Sequence, residues 1–258
     1  RDQPRSRGLG DVYKRQLLGE ATADAVDEYA EDDETMRGFG RFLSELAAVE
    51  GRAALLEAAR DEHVRLLVGP GALPAIPWEA PYRTGEPTVF QEGTLAVRAA
   101  YRARGVQPGK MQRVPDDHVA LECAFMALEA RRSLAQLIAC DVRALAAGLR
   151  AQQSFAVEHM AGWLGEYAKG LRRSATAVLY PQAAEALAAF VALDATFLAE
   201  AALWAEEVSA SGEKFEALGA VAGSPEAQMF AAAEEALAAL EQTRPFGIED
   251  YELAACEG

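Results

Sequence analysis

PDDHVALECAFMAL, Pro115 to Leu128, has two halves with different physics. The first four residues are polar and read as a helix start. Pro115 disfavours helical dihedrals just before it, and an aspartate side chain can accept from the free amides of a first turn. From Val119 to Leu128 every residue except Glu122 is apolar. A helix apolar on all sides is a buried helix, so this segment is expected to be the central one. Glu122 follows His118 by four residues and shares its helix face. A polar cluster at the mouth of a buried helix is either a well-made cap or a recognition site, and the residues alone leave both readings open.

Outward from this stretch the helical period dominates. Upstream, a weak helix over Leu17–Ala30 precedes a clearer one over Asp33–Val49, where Met36, Phe39, Leu43 and Leu46 recur at helical spacing. Gly51 ends it, and Arg52–Leu67 forms a third. Glu92–Arg104 is a helix closing at Gly105, followed by a short basic loop, Gln107–Arg113. Downstream, a helix runs from Asp116 to about Arg132, and Ser133–Ser174 continues helical with a break near Cys140-Asp141. Pro181 suits an early position of a long helix over Gln182–Val208. Ser209–Ser224 reads as a linker, Pro225–Glu241 as an Ala-rich amphipathic helix, and Thr243–Gly258 as loose chain. The expected fold is all-α: a single-domain helical bundle over residues 17–208, with residues 209–258 as linker, helix and tail.

One segment departs from this pattern. Gly69–Glu92 holds Pro70, Pro74, Pro77, Pro81 and Pro87 with three glycines, a density of breakers that no helix survives. It also holds Trp78, Tyr82 and Phe90. A long aromatic loop inside a compact domain is either functional or pinned to the core by its rings, and both can hold.

Arg1 to Gln16 stands apart as well. It carries five basic and two acidic residues, a local charge of +3 against −18 for the remainder. The segment resembles adapter read-through or a cloning scar and is set aside as artefactual. On that reading an amino-terminal helix is missing.

The net charge of −15 and pI near 4.7 make nucleic acid and anionic membrane surfaces poor partners and favour basic ligands. Cys123, Cys140 and Cys256 are few, odd in number and far apart, which suits a reducing, cytoplasmic setting. No apolar run is expected to reach the ~20 residues of a membrane span, and no secretory signal is visible.

Chemistry is sparse. Asp116, Asp117, His118 and Glu122 offer oxygen and nitrogen ligands, so a helical metal-dependent hydrolase using Asp117, His118 and Glu122 is one alternative. Yet Asp-His occurs once and no HExxH or ExxH follows. No GxSxG elbow exists, and VGPG at Val68–Gly71 lacks the lysine of a phosphate loop. No cofactor and no metal are expected. What remains is peptide binding: carboxylates for arginine forks, and Trp, Tyr and Phe for an apolar stretch.

DEHVRLLVGPGALPAIPWEAPY (Asp61–Tyr82), VFQEGTLAVRAAYRARGV (Val89–Val106) and PDDHVALECAFMAL, in this order, resemble the TorD/DmsD family of molybdoenzyme maturation chaperones. FAVEHMAGWLGEYAKGL (Phe155–Leu171) is similar to the family's His/Trp helix. The resemblance spans about Asp33 to Trp204. It implies an all-α fold, no catalysis, and binding of the twin-arginine leader and apoprotein of a molybdopterin oxidoreductase in the cytoplasm. By it, Asp117 and His118 match the family's Asp-His pair, and Trp78 and Tyr82 its aromatic loop positions; Phe90, Asp116 and Glu122 are added from their place in the sequence. Monomer and domain-swapped dimer are both open. One departure is Pro77-Trp78-Glu79-Ala80-Pro81-Tyr82, where many relatives read PWESxY. A structural adaptor for a folded partner is the remaining alternative.

Overall fold

A computed structural model describes residues 23–68, 72–86, 92–110, 113–174, 177–212 and 251–256, with Gln228, Ala231, Glu235 and Ala238 as single helical positions. The chain is 77% helical, with eight helices and one two-stranded sheet among the described residues. In order these are α1 (Ala23–Glu50), α2 (Arg52–His63), α3 (Ala80–Thr84), α4 (Glu92–Ala103), β1 (Val106–Pro108), α5 (Val119–Ile138), α6 (Val142–Phe155), α7 (Leu164–Arg172), α8 (Leu179–Ser211) and β2 (Leu253–Ala255). The all-α expectation holds. Segments 1–22 and 213–227 lie outside the described residues, and with them the segment set aside as artefactual and most of the linker.

The hub is α8, not α5. α8 packs against α1, α2, α6 and α7, and its small residues Ala184, Ala189, Ala201, Ala202 and Ala205 let those helices approach closely. Ion pairs bind its flanks to its neighbours: Arg150 with Glu206 at 2.9 Å, and Arg172 with Glu185. α5 is one wall of the bundle. Its buried residues Leu121, Glu122, Phe125 and Glu129 recur at helical spacing, while Ala127 and Ala130 are exposed. The expectation of a helix buried on all sides fails because alanines carry too little apolar surface to demand burial.

α8 also corrects the reading of membrane spans. It is long and apolar enough, by length and composition alone, to cross a bilayer, with a mean hydropathy of 1.8 over its apolar window. Glu185, Asp194 and Glu200 split it into shorter runs, which is why no single run stood out.

The start of α8 carries no local side-chain cap. Glu62 of α2 supplies one instead. Its buried carboxylate accepts from the amides of Val178 (2.5 Å), Leu179 (3.0 and 3.1 Å) and Tyr180 (2.9 Å), more than 110 residues along the chain. Free amides and the positive end of the helix dipole both favour a carboxylate there.

Two expectations for loop regions are overturned. The basic loop begins as β1, and the tail expected to be loose returns as β2, pairing antiparallel with it in the register Val106↔Ala255, Gln107↔Ala254 and Pro108↔Leu253. Gly105, at φ +72°, makes the left-handed turn out of α4 that a side chain would resist, and so launches β1. Three residues carry no readable alternation, so neither strand shows in the sequence.

The predicted break at Cys140-Asp141 is present: Asp141 caps α6 by accepting from Ala144 N at 3.1 Å. The expected gap between Ala30 and Asp33 is absent, because α1 runs through it.

Glu62→Ala should lower unfolding free energy by about 2–3 kcal/mol, since three amides at a helix start lose a charged acceptor. Denaturant titration of the two chains measures this. A loss under about 0.5 kcal/mol would mean the cap is not what fixes α8.

Candidate peptide-binding site

The Pro-rich loop and the start of α5 are stitched together by their backbones. Glu79 N donates to Asp117 O (3.0 Å) and Val119 N to Pro77 O (2.9 Å), with Trp78 and His118 forming an antiparallel bridge. α3 begins just there. Its first turn lacks a local side-chain cap, and Pro81 removes one amide that would need one. Ala80 N donates to Asp117 Oδ2 at 2.9 Å, so Asp117 caps α3 rather than the helix it precedes.

The cap of α5 itself is His118, whose Nδ1 accepts from Ala120 N at 3.1 Å. The helix therefore starts at Val119, not at Asp116. Asp116 is bound by Arg98 of α4 through two bonds, Nε to Oδ2 at 2.6 Å and Nη2 to Oδ1 at 3.1 Å, and its carbonyl accepts from the Tyr101 hydroxyl. A bidentate guanidinium holds that carboxylate firmly. Asp116 is thus a strut between α4 and the loop.

Tyr82 donates to Ile76 O at 2.9 Å and packs on Trp163 and Tyr167, with ring centroids 5.2 and 6.5 Å away. Burial pushes its hydroxyl up to about 12. Trp78 has a buried indole N–H without a hydrogen-bond partner. Phe90 lies outside the described residues. The loop is seated closely: a Cβ at Gly170 of α7 would meet the Cβ of Ala75 at 2.8 Å, so only glycine lets the helix approach.

Beneath the loop lies a group of buried acids. Glu79, Asp117 and Glu122 are each fully buried. Glu79 faces His159 Nδ1 at 3.2 Å, and Arg83 reaches it from the solvent side with Nε 2.6 Å from Oε1, an ion pair without hydrogen-bond alignment. Arg83 also donates to Glu158 O. His159 sits in a π-helical turn, Ala156–Met160, that extends α6, and Trp163 Nε1 donates to the His159 carbonyl at 2.7 Å. Turns of this kind recur at functional sites because the extra residue re-aims side chains.

Four acceptors in this group have no hydrogen-bond donor: Glu79 Oε1, which has only the Arg83 ion pair, Asp117 Oδ1 and both oxygens of Glu122. Burial above all, then the charges of Glu79 and Asp117, raise the Glu122 carboxyl well above its ordinary range, with the Trp163 indole and Arg83 opposing. Burial thus favours the neutral acid form of Glu122. Burial, aided by the charge of His63, lowers His118 to about 4, so it is a neutral imidazole.

The structure places Trp78 and Tyr82 half-buried and Asp117, His118 and Glu122 buried, rather than presented to solvent. Sequence reasoning missed Glu79, Arg83 and His159 as partners of that group. Glu79 and Arg83 flank the PWEAPY aromatics, and His159 lies four residues before Trp163, so a pattern existed for each. Asp117, His118 and Glu122 do not converge on a common point: one faces Ala80 N, one Ala120 N, and one the core. Among the described residues no group of three or more His, Cys, Asp or Glu is placed to hold a metal ion.

The other face of α5 adjoins a different surface. α5, α6 and α8 line a cavity of about 870 Å³, walled by Cys123, Met126, Leu134, Phe190, Phe197 and Trp204 among others. Phe190 and Phe197 are about half exposed. Asp194 is its one acid of note, with a carboxyl raised by burial. None of the predicted binding residues among those described lines it.

A family model described as nitrate reductase delta subunit matches residues 19–169. The chain belongs to that family. It is the TorD family, which the loop and PDDH motifs resemble. A Tat proofreading chaperone DmsD of Salmonella typhi is 37% identical over 118 residues, 44% of this chain and 56% of that protein. The same-named protein of Salmonella typhimurium is 41% identical over 118 residues with the same shares. That of Salmonella paratyphi A is 41% identical over 54 residues, 21% of this chain and 26% of that protein. The chain spans about half the length of the curated relatives it matches. No solved structure matches it. In this TorD-family chain the matched span takes in the loop, the Asp-His pair and the His159–Trp163 turn together.

The two perturbed groups set opposite pH dependences. Glu122 has a raised folded pKa, so its contribution to stability is full below its unfolded value near 4.5 and declines as pH rises toward the folded value. Glu122→Gln should match the parent near pH 4.5 and exceed it increasingly toward pH 8. His118 has a lowered folded pKa, so its contribution is full above 6.5 and is lost as pH falls through about 4, by about 3 kcal/mol in all. His118→Asn, which keeps a capping acceptor, should flatten that acid limb. Denaturation free energies from pH 4 to 8 check both; parallel curves for parent and variants would contradict the assignment.

Proposed function

We propose that this chain is a cytoplasmic, non-catalytic chaperone. It binds the twin-arginine leader and apoprotein of a molybdopterin oxidoreductase catalytic subunit and holds them for cofactor insertion before export. The observation that carries this reading is the surplus of buried acceptors at Asp117 and Glu122 beside a guanidinium, that of Arg83, which already enters from solvent. Buried acceptors without donors are uncommon in folded proteins and cost free energy unless a ligand uses them. Their chemistry, planar oxygen pairs in a low-dielectric site, suits a guanidinium fork. Family membership and the Tat proofreading relatives support the same reading.

A twin-arginine leader is basic at one end and apolar beyond. The acidic group would take the arginines, displacing or joining Arg83, and the cavity between α5, α6 and α8 would take the apolar stretch. α5 carries both surfaces: His118 and Glu122 at its first turn, Cys123 and Met126 on the cavity wall. Pairing a neutral Glu122 with a guanidinium ionises it, so binding releases a proton.

Calorimetric titration with a synthetic twin-arginine leader, beside the same peptide with both arginines changed to glutamine, tests this. The arginine peptide should bind about 10–100-fold more tightly, since one or two buried charge-assisted pairs are at stake. Added salt should weaken it. The apparent enthalpy should vary with the ionisation enthalpy of the buffer, and Glu122→Gln should abolish that variation. Asp117→Asn keeps an oxygen for Ala80 N yet removes the charge, and should weaken the arginine peptide about tenfold with little change in melting temperature. Equal binding of both peptides would overturn arginine recognition, and binding of neither would overturn leader binding itself.

A further inference from the structure

The face of His118 is already occupied. Tyr251 lies on it with ring centroids 4.9 Å apart, and both Tyr251 and Leu253 pack against the main core. The same short segment continues as β2 on β1, extended at either end by Gly109 N donating to Glu252 O (2.7 Å) and Cys256 N to Gly105 O (3.0 Å). These two bonds fix the alternation of the ladder. Gly109–Glu252, Gln107–Ala254 and Gly105–Cys256 are the hydrogen-bonded pairs, so Pro108 falls opposite Leu253 at a position where no N–H is asked of it. β1 is thus a well-formed acceptor edge despite its proline.

The strand that fills this edge is weakly held. A two-stranded ribbon of three residues a side is marginal by itself. Ala254 and Ala255 are exposed and bury little, leaving Tyr251 and Leu253 as the apolar anchors. Addition of a strand to an exposed edge is a common way to bind an extended peptide, because main-chain bonds give affinity while alternate side chains fill pockets.

We propose that Tyr251–Cys256 is a displaceable latch: it closes the His118 corner, and the extended part of a client's leader takes its place on β1. This rests on the leader-binding reading above. The segment is an internal stand-in for the client, with Tyr251 holding the place over His118 that a leader side chain would take.

The test uses the whole chain, a chain ended after Asp250, and the full-length variant Ala254→Pro, which removes one ladder donor at an exposed position and leaves the anchors in place. Titration with the twin-arginine leader should show Kd at least fivefold lower for the shortened chain and lower for Ala254→Pro, with faster association in stopped flow. A synthetic Tyr251–Cys256 peptide should bind the shortened chain and be driven off by the leader. Unchanged affinity and association rate, with binding still dependent on the arginines, would overturn the latch alone. Failure of the leader to bind any of the three chains would overturn the leader-binding reading and the latch with it. Should the shortened chain not fold, Ala254→Pro decides, and an affinity equal to the parent's overturns the latch.

Discussion

The Asp117 carboxylate joins two parts of the chain 37 residues apart, and the candidate site depends on that joint. A loop with five prolines cannot satisfy its own backbone through local ladders, because each proline removes a donor and bars the helical region before it. Its polar groups must find partners elsewhere or face water. Here they find the start of α5: Glu79 and Ala80 donate to Asp117, and Pro77 accepts from Val119. The loop gains a fixed course, and α5 gains an entry angle that lets His118 cap it. Each charge-assisted bond of this kind is worth about 1.5–3 kcal/mol, enough to select one loop conformation from many. At Asp117 the main-chain carbonyl and Oδ2 hold the loop, while Oδ1 has no donor.

Three other buried carboxylates show how the fold handles charge, and a fourth shows where it does not. Glu62 meets three amides at the start of α8. Glu129 sits between Arg104 and Arg132, with bonds of 2.6–2.8 Å to each side. Asp116 meets Arg98. In each case an uncompensated buried charge, which would cost several kcal/mol, is paired and hydrogen-bonded. Glu122 has neither, and its burial favours the neutral form, which leaves its two oxygens without a hydrogen-bond donor.

Much of the helical architecture was legible in the sequence, and the reasons are local. Met36, Phe39, Leu43 and Leu46 mark α1 by period alone. Asp141 is adjacent to the helix it caps, so the break after Cys140 could be read. The caps of α3 and α8 could not, because Asp117 and Glu62 act across 37 and more than 110 residues, and capping patterns look only a few positions ahead. The same limit explains the strands: β1 and β2 are three residues each, and Pro108 reads as a breaker until the ladder alternation places it opposite Leu253. Among the candidate residues, adjacency in sequence was legible and burial was not. Asp116, Asp117 and His118 are adjacent in sequence, yet one serves Arg98, one Ala80 and one Ala120, a division set by side-chain direction at a turn that composition does not encode.

The burial of the site constrains how any ligand could reach it. Glu79, Asp117 and Glu122 are fully enclosed, while Arg83 beside them is about half exposed. A guanidinium can enter only along the path Arg83 already marks or by lifting the loop off α5. The second route breaks the Glu79, Ala80 and Val119 amide bonds together and so carries a cost of several kcal/mol. The first breaks the Arg83–Glu79 ion pair and the Arg83 bond to the Glu158 carbonyl. On the proposed leader-binding reading, the first route leaves the stitched backbone intact, so the loop and α5 keep their places and little ordering remains to be done on binding.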